Sequence, residues 1–245
     1  MNTASAEARP GIIGQDTAFF GAAALIFGFA ATGTVHGCLS MSMPWMRMPG
    51  QTWPGVVAGF FGMWVAMMVT MMLPALMPAL WRYRRALRMA RETRLGRLTA
   101  LVSVGYFVVW AAFGAAAMPL SVALAAIPTR SPAVGVLLLI AGLLQFSAWK
   151  VRHLACCRTA PEHGRSLPAN PAAAWRYGLR WGLHCSYCCA GPTAVLLTFG
   201  VMNLPAMTLV MLAITAERLA PAGDRVARAI GAVAIVAGLL LIARA

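Results

Sequence analysis

Apolar residues run along this chain in long stretches, separated by short polar segments rich in arginine. A helix that crosses a bilayer needs about 20 mostly apolar residues, at 1.5 Å rise per residue through roughly 30 Å of hydrocarbon. Stretches of that kind lie at about 18–36, 55–80, 99–126, 133–150, 181–199, 202–217 and 226–243. They predict an all-α fold, a polytopic transmembrane helix bundle of about seven spans. The sixth stretch is short and only "FGVMNLP" divides it from the fifth, so six spans, with a broken hairpin there, is the alternative. No segment shows the two-residue alternation of a half-buried strand.

The basic residues orient the bundle. With the N-terminus in the cytoplasm and seven alternating spans, seventeen of the twenty Lys and Arg residues fall inside, against Arg47, Arg130 and Arg244 outside. Cytoplasmic loops carry such an excess, so the predicted N-terminus is cytoplasmic. The predicted organisation is a single integral membrane domain, 1–245, in a bacterial inner membrane. It has a cytoplasmic tail at 1–17, a methionine-rich extracytoplasmic loop at 37–54, and basic cytoplasmic loops at 82–98 and 151–180. The tail holds Glu7, Arg9 and Asp16 and no basic leader region, so the first apolar run is expected to be a retained span.

Composition agrees: 60% of residues are hydrophobic and 11% charged, where a soluble domain keeps about a quarter charged. The net charge of +14 would suit nucleic acid, but the arginines flank apolar spans, so the bilayer is the expected partner and nucleic acid is not.

Candidate chemistry gathers at two places. The first is "HCSYCC", 184–189, in a chain with six cysteines and four histidines. On a helix His184 stacks with Cys188 and Cys185 with Cys189, and the four fall within about 140° of arc. "KVRHLACCR", 150–158, repeats the spacing with His153, Cys156 and Cys157. The predicted topology puts both segments at the cytoplasmic face, where thiols stay reduced. Thiolate and imidazole donors select copper(I), zinc or iron–sulfur centres, and nearby arginines favour thiolate.

The second is methionine. Ten of sixteen methionines fall between residues 41 and 77. Met41, Met43, Met46 and Met48 lie in the outer loop beside His36 and Cys38; Met63, Met67 and Met71 form one helical stripe, and Met68 and Met72 a second. Thioethers are neutral soft donors that suit copper(I) and hardly bind zinc. Methionine is also an ordinary gap-filler in apolar helices, so the span-two stripe has a packing explanation as well. Weaker candidates are Met202, Asn203 and Met207 after the outer turn, with Asn203 expected as a helix cap. Glu217 is read as a solvated helix end or an ion pair with Arg218, and Gln145 as an interhelical hydrogen bond. No Ser/His/Asp set, carboxylate pair, phosphate loop or dinucleotide fingerprint is present.

These motifs resemble a bacterial family of predicted metal-binding integral membrane proteins. The likeness runs through "MWVAMMVTMMLPALMP", "KVRHLACCR" and "GLHCSYCCAGPTAVLLTFGVMNLPAM" to Glu217–Arg218, where the family favours Glu–Lys. It implies metal binding by Cys157, Cys185, Cys188 and Cys189, with the span-two methionines and Met202–Asn203. His153, Tyr187 and Ala190 stand where the family tends to place cysteine, glycine and tryptophan.

The expected function is soft-metal handling, copper(I) favoured and zinc the alternative. An outer methionine loop would capture the ion from an extracytoplasmic donor, the span-two stripe would pass it, and the inner Cys/His cluster would deliver it to a membrane or cytoplasmic acceptor. The alternatives are a membrane oxidoreductase or metalloenzyme subunit using Cys185 and Cys188, and a scaffold held by structural zinc.

Overall fold

The computed structural model describes residues 10–40, 52–125, 132–158, 170–200 and 203–244, and these residues are helical with no strand among them. They form eight helices: α1 (Pro10–Ser40), α2 (Trp53–Met89), α3 (Leu95–Ala125), α4 (Pro132–Leu144), α5 (Ala148–Arg158), α6 (Pro171–Phe199), α7 (Leu204–Leu219) and α8 (Gly223–Ala243). Asp16–Ser40, Pro54–Met89, Leu95–Leu120 and Gly223–Ala243 are long and apolar enough to cross a membrane; α4 and α5 add a fifth segment if taken as one bent span. That is four or five, against the seven expected. Helix α7 has only 16 residues, and α6 carries Arg176, Arg180 and His184 in its first half.

Local chemistry explains the boundaries that depart from the apolar pattern. The predicted stretch 133–150 breaks, and α4 and α5 meet at 63°. Ser147 makes the break: its hydroxyl donates to Leu144 O at 2.6 Å and accepts from Lys150 N at 3.1 Å, capping the new helix. The segment 82–89, expected as loop, continues α2 to Met89, because arginine is a good helix former and marks a membrane edge rather than a helix end. His36 and Cys38, expected in a loop, lie on the last turns of α1. Asn170 and Asn203 cap α6 and α7 by accepting from Ala173 N at 2.7 Å and Ala206 N at 3.0 Å, each followed closely by a proline suited to a helix start.

Helix α6 is the hub, packed on α3 and also touching α4, α5 and α7. Gly178 and Gly182 permit the α3 contact: a Cβ at Gly178 would lie 2.3 Å from Val102 O, and one at Gly182 2.9 Å from Tyr106 O. Helix α1 packs on α2 and leaves Leu25 76% and Phe29 85% exposed, an apolar surface of the kind a bilayer covers.

Candidate metal centre

The turn spacing of α6 sends Cys185, Cys188 and Cys189 inward, and α5 brings Cys157 to meet them; all four side chains are buried. Cys185 Sγ and Cys189 Sγ are 3.9 Å apart. Cys157 is within hydrogen-bonding reach of Cys185 and Cys188, and Cys188 is likewise in reach of Cys189. The contacts close a ring of four sulfurs, none of them in a disulfide. Two sulfurs sharing one metal in a tetrahedral set through bonds near 2.3 Å stand about 3.8 Å apart, a separation that the Cys185–Cys189 pair matches. Among the described residues, no three Cys, His, Asp or Glu side chains are already disposed around one point as a metal-holding group.

Polar groups from three other places in the chain surround the ring. Tyr106 of α3 donates its hydroxyl to Cys185 Sγ at 2.9 Å. Arg218 of α7 donates from Nη1 to Cys185 Sγ at 3.3 Å and to Tyr106 Oη at 3.5 Å. Pro192 lacks the N–H that would serve the Cys188 carbonyl one turn earlier, and Lys150 Nζ donates to that carbonyl instead, at 2.8 Å. Lys150 also pairs with Glu217 Oε2 at 2.6 Å, while Gln145 Nε2 donates to Glu217 Oε1 at 2.7 Å.

Glu217 is therefore neither a solvated helix end nor the ion partner of Arg218. It is 1% exposed and paired with Lys150, itself 2% exposed at the end of the predicted stretch 133–150. Consecutive helical residues point about 100° apart, so Glu217 and Arg218 serve different neighbours.

The histidines stand apart from the sulfur ring. His153 and His184 face each other, Nδ1 to Nδ1 at 3.2 Å, with Trp149 and Tyr187 against the His153 ring. Both imidazoles are half-buried, and Cys156 is exposed. His184 lies at the edge of the cysteine arc nearest Tyr187, which turns it toward α5 and away from Cys185 and Cys189.

The methionines divide too. Met67, Met68, Met71 and Met72 are buried, and Met63 is half-buried. The four buried ones, with Met207, belong to the same continuous apolar cluster as the four cysteines. Met41, Met43, Met46, Met48 and Met202 lie outside the described residues. His36 is exposed, Cys38 packs partly against the core, and Asn203 caps α7. Sequence reasoning did not find Tyr106 or Lys150 as neighbours of the cluster. For Lys150 the signal was a lysine closing the apolar run 133–150; for Tyr106 there was none beyond the glycines on the facing helix.

A family model described as "PpoB2: Copper chaperone" matches residues 61–241. The match contains every residue of the sulfur ring and its polar neighbours, and it begins after the 37–54 segment. No curated protein and no solved structure matches the chain.

Proposed function

The chain belongs to the PpoB2 copper chaperone family, and on that premise we propose that it holds copper(I) inside a bilayer on Cys157, Cys185, Cys188 and Cys189 and passes it to a partner. The observation that carries this reading is the closed ring of four buried sulfurs, with a guanidinium and a phenol hydroxyl on Cys185. Copper(I) and thiolate are soft partners, and each Cu–S bond formed releases the sulfhydryl proton. The buried methionines of α2 supply neutral donors in the same core, weak enough for exchange on the way to the thiols. His153 and His184, half-buried beside the cluster, form the rim where the ion transfers to or from an acceptor. The methionines of 37–54, outside the family match, would be this chain's own means of collecting copper from an extracytoplasmic donor.

A bacterial inner membrane with a cytoplasmic N-terminus is the proposed setting. It is supported by the candidate spans, the apolar surface of α1 and the distribution of arginine. Structural zinc is the competing reading, because four thiols are also a zinc ligand set.

The test is anaerobic titration of the detergent-purified protein with copper(I), beside Cys185→Ser and Cys188→Ser. Wild type should take up copper and both variants should lose it. Wild type that takes zinc and refuses copper(I), or a Cys185→Ser protein that binds as wild type does, would overturn the reading.

A further inference from the structure

Arg218 lies in the interior, 6% exposed, and among the described residues no carboxylate meets its free edge. Its Nη1 reaches Cys185 and Tyr106, while Nε and Nη2 are buried and meet no acceptor. The ionisable side chains it faces are Cys185, Tyr106, Cys157 and Cys189. Glu217, next in the chain, is occupied by Lys150 and Gln145, and the Lys150–Glu217 pair sums to zero charge. Arg158 reaches the Glu217, Ala220 and Pro221 carbonyls at the outer edge and brings no negative charge. Arg218 thus leaves one buried positive charge facing sulfur. A lone guanidinium in an apolar interior is costly unless its partner carries the opposite charge.

We infer that Arg218 is the counter-cation of a copper(I) ion held by two thiolates, one of them Cys185, and that this match of charge holds the number of thiolates on copper(I) at two. The inference rests on the copper reading above and adds the number of ligands and the residue that sets it. The balance is direct. Two thiols and one copper(I) give a bis(thiolate) unit of charge −1 and two protons released to water, with no change of oxidation state. With Arg218 the buried set is neutral. A third thiolate on copper(I) would leave −1 in the interior, whereas a divalent ion would need three thiolates to reach the same neutral sum. The other two cysteines remain neutral thiols in contact with the pair, so the ring offers the ion further sulfurs to move to while two hold it at any moment.

The experiment uses the full chain in detergent under anaerobic conditions, as wild type, Arg218→Met and Arg218→Lys. Copper(I) affinity is read by competition with a chelator, and the number of sulfur neighbours by copper X-ray absorption. The expected results are two sulfurs in wild type, affinity within a few-fold of wild type for the lysine variant, and a loss of roughly a hundredfold or more for the methionine variant, the order seen when a buried charge loses its partner. Three or four sulfurs in wild type, or undiminished copper affinity in Arg218→Met, would overturn the inference and leave the copper reading standing. If Arg218→Met does not fold, the wild-type sulfur count and the lysine variant still decide. Wild type that binds no copper(I) would end the copper reading itself, and this inference with it.

Discussion

The sulfurs of α6 and the sulfurs of α2 share one apolar core, yet their surroundings differ. Cys185 is contacted by a phenol and a guanidinium, and the Cys188 carbonyl by an ammonium. Near the methionine face of α2 the prominent polar anchor is Trp64, whose indole donates to Trp110 O at 2.8 Å and ties helix to helix. Polar groups in an apolar interior cost free energy unless they are matched; Lys150 is matched by Glu217, and the Arg218 guanidinium carries a cost that a thiolate would offset. On the methionine side the Trp110 indole N–H is buried without an acceptor among the described residues, a neutral donor and so a smaller cost than a charge. Both sets of soft donors are chemically fit for copper(I), and on the proposed reading their neighbours are what would separate a binding centre from packing that a passing ion uses.

The comparison breaks most severely at the ion pair behind the thiols. Lys150→Met should strand Glu217 and leave the Cys188 carbonyl unserved, destabilising the protein by about 3–5 kcal/mol. Thermal unfolding should show the double variant Lys150→Met/Glu217→Gln to be milder than that single change. Gly178→Ala comes next. Its methyl would meet the Val102 carbonyl, so α6 must shift on α3, at a cost of about 1–3 kcal/mol. Because the same contact sets Tyr106 on Cys185, copper affinity should drop along with the melting temperature.

The smallest effect belongs to the methionines. Met67→Leu with Met71→Leu conserves volume and should cost under about 1.5 kcal/mol each. Copper bound at equilibrium should be unchanged, while stopped-flow loading of the thiols should slow if thioethers carry the ion inward. Equal loading rates would assign those residues to packing alone. Labelling with a membrane-impermeant thiol reagent sharpens the proposed topology. Cys156 should react from the cytoplasmic side, and any reaction of Cys38 should come from the other side.

Much of the helical architecture was legible because long apolar runs admit few other structures. The kink between α4 and α5 was not, since hydrophobicity continues through Leu144–Trp149 and one serine hydroxyl makes the break. That kink aims Lys150 inward, so its burial was hidden for the same reason. The cysteines stood out by spacing alone, and i,i+4 geometry correctly paired Cys185 with Cys189. The same geometry grouped His184 with them, whereas packing against α5 pairs it with His153. Tyr106 lies 79 positions from Cys185, and no local pattern joins them. The glycines that let their helices meet were visible, but they named no residue on the facing helix.

The most direct measurement is the metal content of the protein purified anaerobically from cells, wild type beside Cys185→Ser, with copper and zinc counted together. Copper in wild type and its loss in Cys185→Ser, with the fold retained, is the predicted result. Zinc in place of copper, or copper that persists without Cys185, would contradict it.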